Sequence, residues 1–462
     1  MARLVVVSNR VAMPRERAAR AGGLAIGLRE ALRKYGGVWF GWSGEIVETA
    51  PAVPKVVNSG KIIFVTVDLA KRDHDEYYTG YANGSLWPLL HYRVGLIEFR
   101  REAFAGYMRV NASMAQSLRP LIQPDDLIWV HDYHLMPFAF EMRKLGITNK
   151  IGFFLHTPFP PAAVLAVLPG HESLMEAMCA YDLIGLQTLN DLRALADYIR
   201  NEAGGTVAAD GTARAFGRAF RVGAFPIGID AEPFAKLAKE QAASPESGRL
   251  KQNLADRHLI IGVDRLDYSK GLPNRFLAID RLLAAHSEHR RKMTYLQIAP
   301  PSRTDVAQYR ALRRELEAVA GRINGRYAEF DWQPIRYLNK GMARATLAGF
   351  FRLSRVGLVT PLRDGMNLVA KEYVAAQDSA DPGVLILSRF AGAAYELDSA
   401  LIVNPFDVDA IADAIQAALT MPLDERQKRW RALEANIRSN TVITWRENFL
   451  EELRRAPDRE VR

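Results

Sequence analysis

The octapeptide Asp264-Arg265-Leu266-Asp267-Tyr268-Ser269-Lys270-Gly271 gathers two cations in one short segment. An apolar run, Leu259–Val263, precedes it and reads as a buried parallel strand. Gly271 and the amphipathic stretch beyond it read as the start of a helix. Arg265 and Lys270 are therefore expected on a loop at the carboxyl end of a strand, where open α/β sheets bind their ligands. Two cations beside a helix N-terminus suit a diphosphate, because orphan N–H groups and the helix dipole favour negative charge there. A surface Arg and Lys on a turn is an equally ordinary reading of these residues alone, and the rest of the chain decides between the two.

Four other segments have the same placement. Ser8-Asn9-Arg10 ends an apolar strand, and Gly22-Gly23 then open a helix. Glycines allow close backbone approach to a ligand, though the pattern is not the dinucleotide fingerprint, and taken alone it reads first as a plain helix entry. His131-Asp132-Tyr133-His134 follows Leu127–Val130. Asp132 can accept hydrogen bonds from sugar hydroxyls there, or cap a helix. The two histidines lack further ligands at a metal-site spacing, so no metal is expected. His156 follows another apolar run and is stiffened by the prolines at 158 and 160; its imidazole can bond a hydroxyl or serve a structural role. In Thr360–Glu372 a strand is expected to end at Thr360 and a helix to begin near Gly365. Asp364 and Glu372 then stand about two helical turns apart, with Glu372 placed to meet a diol such as ribose.

The elements that must position these residues alternate strand and helix nearly throughout. Candidate strands are Leu4–Ser8, Ile62–Val67, Leu127–Val130, Ile151–Leu155 and Leu183–Leu186, then Leu259–Val263, Thr294–Ala299, Val356–Thr360, Val384–Leu387 and Leu401–Val403. Amphipathic segments such as Leu189–Glu202 and Arg303–Ala320 lie between them, a pattern that argues for parallel sheets covered by helices. A division is expected near Phe225–Asp230, followed by a polar helical connector, Glu232 to Gln252, interrupted by a loop at Ser244–Gly248. The tail from Thr441 to Arg454 reads as an amphipathic helix. Asp210-Gly211-Thr212 reads as a turn.

At 462 residues the chain is too long for one ordinary core. Its 49% apolar and 24% charged residues are those of a soluble globular protein, and no apolar run has the length of a membrane helix. The single cysteine, Cys179, permits no intrachain disulfide and suits a cytoplasmic location. The net charge of +9 is dispersed rather than gathered in a stripe, which favours the attraction of small anions, or plain surface solubility, over nucleic-acid binding.

Taken together, Ser8-Asn9-Arg10, Gly22-Gly23, the HDYH and FFLHTPFP segments, VDRLDYSKG and TPLRDGMNLVAKE resemble the α,α-trehalose-phosphate synthase family. The resemblance runs over nearly the whole chain. It implies an α/β protein of the GT-B fold, with two Rossmann-like domains facing each other across a cleft. Residues 1–228 are the expected acceptor domain, 229–440 the donor domain, and 441–462 a helical tail packing back on the first. The implied reaction is retaining transfer of glucose from a nucleoside-diphosphate glucose, with UDP-glucose expected, to glucose 6-phosphate. By motif match, Arg10, Tyr78, Trp87, Asp132 and Arg303 hold glucose 6-phosphate. Gly22, Gly23, Met342 and the stretch Leu368, Val369, Ala370, Lys371 and Glu372 hold the donor, with Met342 near its base. Arg265 and Lys270 meet the diphosphate, and His156 and Asp364 the donor glucose. The resemblance implies no metal or cofactor, no nucleic-acid or membrane partner, and a homo-dimer or tetramer. Two alternatives stay open: a related enzyme with another acceptor, and an inactive sugar-phosphate sensor.

Overall fold

The computed structural model describes residues 3–13, 23–303 and 306–457. They divide into two units. Unit 1 comprises Met1–Pro226 with Ile443–Arg462, and unit 2 comprises Ile227–Val442.

Unit 1 is built on ten strands: β1 (Leu4–Arg10), β2 (Gly37–Val47), β3 (Lys55–Ser59), β4 (Ile62–Ala70), β5 (Leu127–His131), β6 (Ile151–Phe154), β7 (Leu183–Leu186), β8 (Thr206–Val207), β9 (Thr212–Ala215) and β10 (Arg218–Ala224). Their order is β3-β4-β2-β1-β5-β6-β7-β10-β9-β8. The strands from β4 to β10 in that order pair in parallel, with antiparallel β3 at one edge and β9 and β8 at the other. Val5, Val6 and Val7 are fully buried, as expected of a parallel strand covered on both faces.

Unit 2 carries a six-stranded sheet: β11 (His258–Val263), β12 (Met293–Ile298), β13 (Ile335–Leu338), β14 (Val356–Val359), β15 (Val384–Ser388) and β16 (Leu401–Val403). All pairs are parallel, in the order β13-β12-β11-β14-β15-β16. Renumbered within the unit, this is the doubly wound order 3-2-1-4-5-6. The parallel part of unit 1 has the same pattern, with β1 central and β5 beside it. Each sheet therefore reverses direction at one place: between β1 and β5 in unit 1, and between β11 and β14 in unit 2. Loops leaving neighbouring strands part company at such a point, and the crevice outside the strands' carboxyl ends is where ligands bind.

The expected strands are all present, shifted by up to three residues at their ends. The expected set lacked β2, β3, β8, β9, β10 and β13. In β2 the apolar residues are broken by Gly37, Gly41 and Gly44, while β3 is exposed along its length and has no apolar face to read. Ser244–Gly248 is not a loop. Ser244 caps a helix, Pro245–Leu254, through a bond from the Ser247 N–H, and Pro245 takes the first helical position, where its missing N–H costs nothing. The helix expected from Arg303 begins at Ala307, because Arg303 has φ 47° and cannot join a helix.

The helix Val442–Arg455 packs in unit 1, where Trp445, Phe449, Leu450 and Leu453 are buried. A Cβ on Gly152 or Gly185 would stand within 2.8 Å or 2.6 Å of the Phe449 ring, so β6 and β7 need glycine where that ring lies. His74–Leu86 winds as a π-helix of 13 residues. Such geometry is rare and is usually found at functional sites.

Candidate active site

The registers in unit 1 align three strand ends. Ser8 of β1 lies opposite His131 of β5, and His131 lies opposite Phe154 of β6. Arg10, Asp132 and His156 thus leave adjacent strands at the switch point. Arg10 is exposed, and its guanidinium lies against Gly44, where a Cβ would be 2.8 Å from its central carbon. Asp132 stands at the N-cap position of the turn Tyr133–Leu135, but its side chain makes no capping bond there. Its backbone instead takes φ 76°, unusual for a residue with a side chain, and Oδ1 accepts from the His156 N–H at 3.4 Å. Strain of this kind gathers at ligand sites.

His131 Nδ1 and His156 Nε2 are 3.1 Å apart. Burial pushes His156 down to about 3, and burial with the neighbouring His156 holds His131 well below its ordinary range. Both rings are neutral at physiological pH, one donating its N–H to the other's lone pair. Trp445 comes to 6.0 Å from the His156 ring and meets Phe154 edge-on at 5.0 Å.

The π-helical segment supplies the remaining acceptor candidates of unit 1. Tyr78 stacks on His134 with ring centroids 5.7 Å apart and an interplanar angle of 11°. Tyr77 next to it donates to Asn9 Oδ1 at 2.8 Å, tying the segment to the end of β1. Trp87 follows directly and is buried against His91, at 4.0 Å, as an apolar wall. Gly23 begins the helix Gly23–Tyr35, and Gly22 lies outside the described residues.

At the switch point of unit 2 the loop 264–271 leaves β11 and the loop 360–367 leaves β14. Arg265 is exposed, whereas Lys270 is nearly buried and forms a 2.5 Å ion pair with Asp364 Oδ2. The same oxygen accepts from Asn367 Nδ2 at 3.0 Å. Gly271 takes a left-handed φ of 65°, and a Cβ there would stand 2.7 Å from the Thr360 carbonyl oxygen, so only glycine lets the two loops meet. Asp267 caps the Ser269 N–H at 3.0 Å and accepts from Arg303 Nη1 at 3.0 Å and from the Tyr309 hydroxyl at 3.1 Å. Arg303 is thereby held beside the octapeptide.

The expected helix start at Gly365 is corrected to Leu368, because Asn367 has φ 72° and the helix runs Leu368–Ala376. Within that helix Ala370 and the Lys371 side chain are fully buried. Its Nζ bonds Glu396 Oε2 at 2.6 Å and the Ile227 carbonyl at 2.8 Å in a buried cluster. Burial lowers its ammonium pKa, with Glu396 opposing. Glu372 receives both Nε and Nη2 of Arg344 on Oε1, each at 3.1 Å. Burial raises its carboxyl above the ordinary range against the pull of Arg344. Met342 is half-buried in the loop between β13 and the helix Arg344–Leu353.

Among the candidates, the structure brings Arg10, Tyr78, Trp87, Asp132 and His156 together in unit 1. In unit 2 it joins Lys270 to Asp364 and holds Arg303 on Asp267 of the loop that carries Arg265, while Glu372 pairs with Arg344. Sequence reasoning missed His131, Asp267, Arg344 and Arg275. Asp267 lay in plain sight within the octapeptide. Arg275 had one signal: a charge among Leu272, Phe276 and Ile279 on the apolar face of its helix.

Two doubly wound sheets, each with charged and polar side chains on loops at a switch point, define a glycosyltransferase of the GT-B fold. The chain belongs to glycosyltransferase family 20, whose family model matches residues 2–455. It is 51% identical to the trehalose-6-phosphate synthase of Klebsiella pneumoniae over 99% of this chain and 96% of that one. Solved structures agree. The α,α-trehalose-phosphate synthase of Burkholderia xenovorans, in complex with glucose-6-phosphate, superposes with a TM-score of 0.94 at 52% identity, covering 98% of this chain and 100% of that one. The Escherichia coli enzyme bound with UDP-2-fluoro glucose gives 0.94 at 51% identity, covering 99% and 100%. Among the described residues no helix is long and apolar enough to cross a membrane.

Proposed function

We propose that this chain transfers glucose from UDP-glucose to C1 of glucose 6-phosphate with retention, forming α,α-trehalose 6-phosphate and UDP. The carrying observation is the placement of Arg265 and Lys270 on the β11 loop at the switch point of unit 2, with Glu372 on the helix leaving the β14 loop. Cations there meet a diphosphate, and a carboxylate on that helix meets the ribose diol. Relatives at about half identity, one solved with glucose-6-phosphate and one with UDP-2-fluoro glucose, support the same pairing of substrates.

In this reading residues 1–228 bind the acceptor and 229–440 the donor. Arg10 and Arg303 take the acceptor phosphate, as guanidinium geometry favours. Tyr78, Trp87 and Asp132 hold and wall the acceptor sugar. Gly22 and Gly23 offer backbone N–H groups to the diphosphate. Met342 and the stretch Leu368 to Glu372 hold the nucleoside. Lys371 contributes only through its backbone, since its ammonium is spent on Glu396 and Ile227.

A diphosphate leaves without needing a strong general acid, so the chief demand is to stabilise negative charge growing on it. Arg265 and Lys270 do this by electrostatics. The acceptor hydroxyl attacks from the face the diphosphate leaves and passes its proton to the departing phosphate oxygen. His156 is neutral and orients a donor hydroxyl, and Asp364 accepts from another. The enzyme reads as a cytoplasmic homo-oligomer that uses neither metal nor cofactor.

The test is nucleoside diphosphate release from UDP-, ADP- and GDP-glucose, with and without glucose 6-phosphate. Release that requires glucose 6-phosphate, fastest with UDP-glucose and yielding a non-reducing disaccharide phosphate, is the expected result. Binding of glucose 6-phosphate with no release from any donor overturns the proposal in favour of a sensor.

A further inference from the structure

Arg275 lies outside every motif named above, yet it is completely buried and reaches four groups from three strand ends. Its Nη1 donates to Asp264 Oδ2 at 2.6 Å and to Gln297 Oε1 at 3.3 Å. Its Nε donates to Thr360 Oγ1 at 3.0 Å, and its Nη2 to the Lys270 carbonyl at 3.1 Å. Asp264 and Lys270 bracket the β11 loop that carries Arg265. Thr360 opens the β14 loop that carries Asp364, the ion-pair partner of Lys270. Gln297 sits near the end of β12.

We infer that Arg275 is the positioning residue that fixes the two donor-site loops, 264–271 and 360–367, against one another. The inference rests on the reading of Arg265 and Lys270 as diphosphate contacts.

Stability alone is a poor reason for this side chain. A buried ion pair is often replaceable by apolar residues without loss, and Leu272, Phe276 and Ile279 already supply an apolar face here. The guanidinium offers what an apolar residue cannot: a rigid fork of donors that meets several acceptors in fixed directions. The loops also meet through the Lys270–Asp364 ion pair and through backbone, with the Leu362 N–H donating to the Ser269 carbonyl at 2.8 Å and Gly271 against Thr360. Arg275 adds side-chain bonds to both loops from beneath. Electrostatic stabilisation of a leaving group depends on cations held in place beforehand, and a misplacement of order 1 Å costs roughly 10²-fold in rate.

Thr360→Val and Arg275→Lys test the inference. The first deletes one arm of the network with little change of shape, and the second keeps the charge but not the fork. A third variant, Arg275→Met with Asp264→Asn, removes both charges and leaves no buried ion alone. Each is checked for folding by circular dichroism and then assayed for UDP release, with kcat and the KM of each substrate separated. The expected result for Thr360→Val is a kcat lower by about tenfold, the effect of losing one hydrogen bond to a charged group. Arg275→Lys is expected to lose about 10²-fold. The KM for glucose 6-phosphate stays within about twofold in both. Folded variants with kcat near that of the unaltered enzyme, while Arg265→Ala is slow, overturn the role of Arg275 and leave the donor site standing. An equal rise in the glucose 6-phosphate KM also overturns it, because the effect is then general loosening. If the unaltered chain neither releases nor binds UDP, the donor-site reading falls and this inference with it.

Discussion

Replacing Lys371 by Met isolates the buried cluster behind the helix Leu368–Ala376, and its consequence can be worked out in numbers. Lys371 Nζ contacts Glu396 Oε2 at 2.6 Å and the Ile227 carbonyl at 2.8 Å, and the lysine side chain is 1% exposed. Glu396 Oε1 is buried and has no hydrogen-bond partner among the described residues. Removing the ammonium leaves a carboxylate with neither charge nor donor beside it, a defect that typically costs about 3–5 kcal/mol. The carboxylate escapes by taking up a proton, which sets a ceiling. From an ordinary carboxyl value of about 4.3, protonation costs about 3.7 kcal/mol at pH 7 and about 1 kcal/mol at pH 5. The orphaned Ile227 carbonyl adds roughly 1 kcal/mol at either pH. The loss of stability is therefore about 5 kcal/mol at pH 7 and about 2 kcal/mol at pH 5. Scanning calorimetry of the variant and the unaltered chain at both pH values measures the difference. At roughly 2–4 °C per kcal/mol for a unit of this size, the Tm gap should narrow by about 6–12 °C between pH 7 and pH 5. The double variant Lys371→Met/Glu396→Gln should recover most of the loss at pH 7. A gap equal at both pH values would refute the reasoning, since a packing defect does not titrate.

Three further outcomes are expected. Arg265→Ala should lower kcat by about 10²-fold or more, read as UDP release, and a near-normal kcat removes Arg265 from leaving-group stabilisation. Arg303→Ala should raise the KM for glucose 6-phosphate far more than that for UDP-glucose, and the opposite pattern places Arg303 with the donor. His156 is held neutral down to about 3 in the folded chain, while an unfolded histidine binds a proton near 6.5. The unfolded state thus holds more protons in that window, so stability falls as pH drops from about 6.5 towards 3. His131→Gln/His156→Gln should flatten that slope in urea titrations at several pH values, and an unchanged slope assigns the loss to other groups.

The parallel strands that carry the site were legible because strands buried on both faces, such as Leu259–Val263, are continuous apolar runs. Strand order was not legible, since pairing depends on which helices cover which face. The switch points, which explain why Arg10 and Asp132 or Arg265 and Asp364 belong together, emerged only with the sheets. Starts of helices misled where one residue turned left-handed. Arg303, at φ 47°, bonds Asp267 and Tyr309, while Asn367, at φ 72°, is of a type that tolerates the left-handed region and bonds Asp364 three residues before it. Lys371 lay in a motif that reads as ligand-binding throughout, yet its ammonium faces a carboxylate, Glu396, supplied from 25 residues further along. Arg275 was hidden for the converse reason: it stands outside every motif, and its four partners come from segments far apart in the chain.

The helix Val442–Arg455 makes unit 1 discontinuous in sequence, while unit 2 is one unbroken stretch. On a ribosome the chain emerges from residue 1 onward, so unit 2 has all its residues first. The face of β6 and β7 shaped by Gly152 and Gly185 waits for Phe449, about 300 residues later. At roughly 5–20 residues per second that is a delay on the order of 15–60 s. Through that interval the apolar surface that Trp445, Phe449, Leu450 and Leu453 will cover stays open to water and to chaperones. The sheet of unit 1 begins first and is finished last.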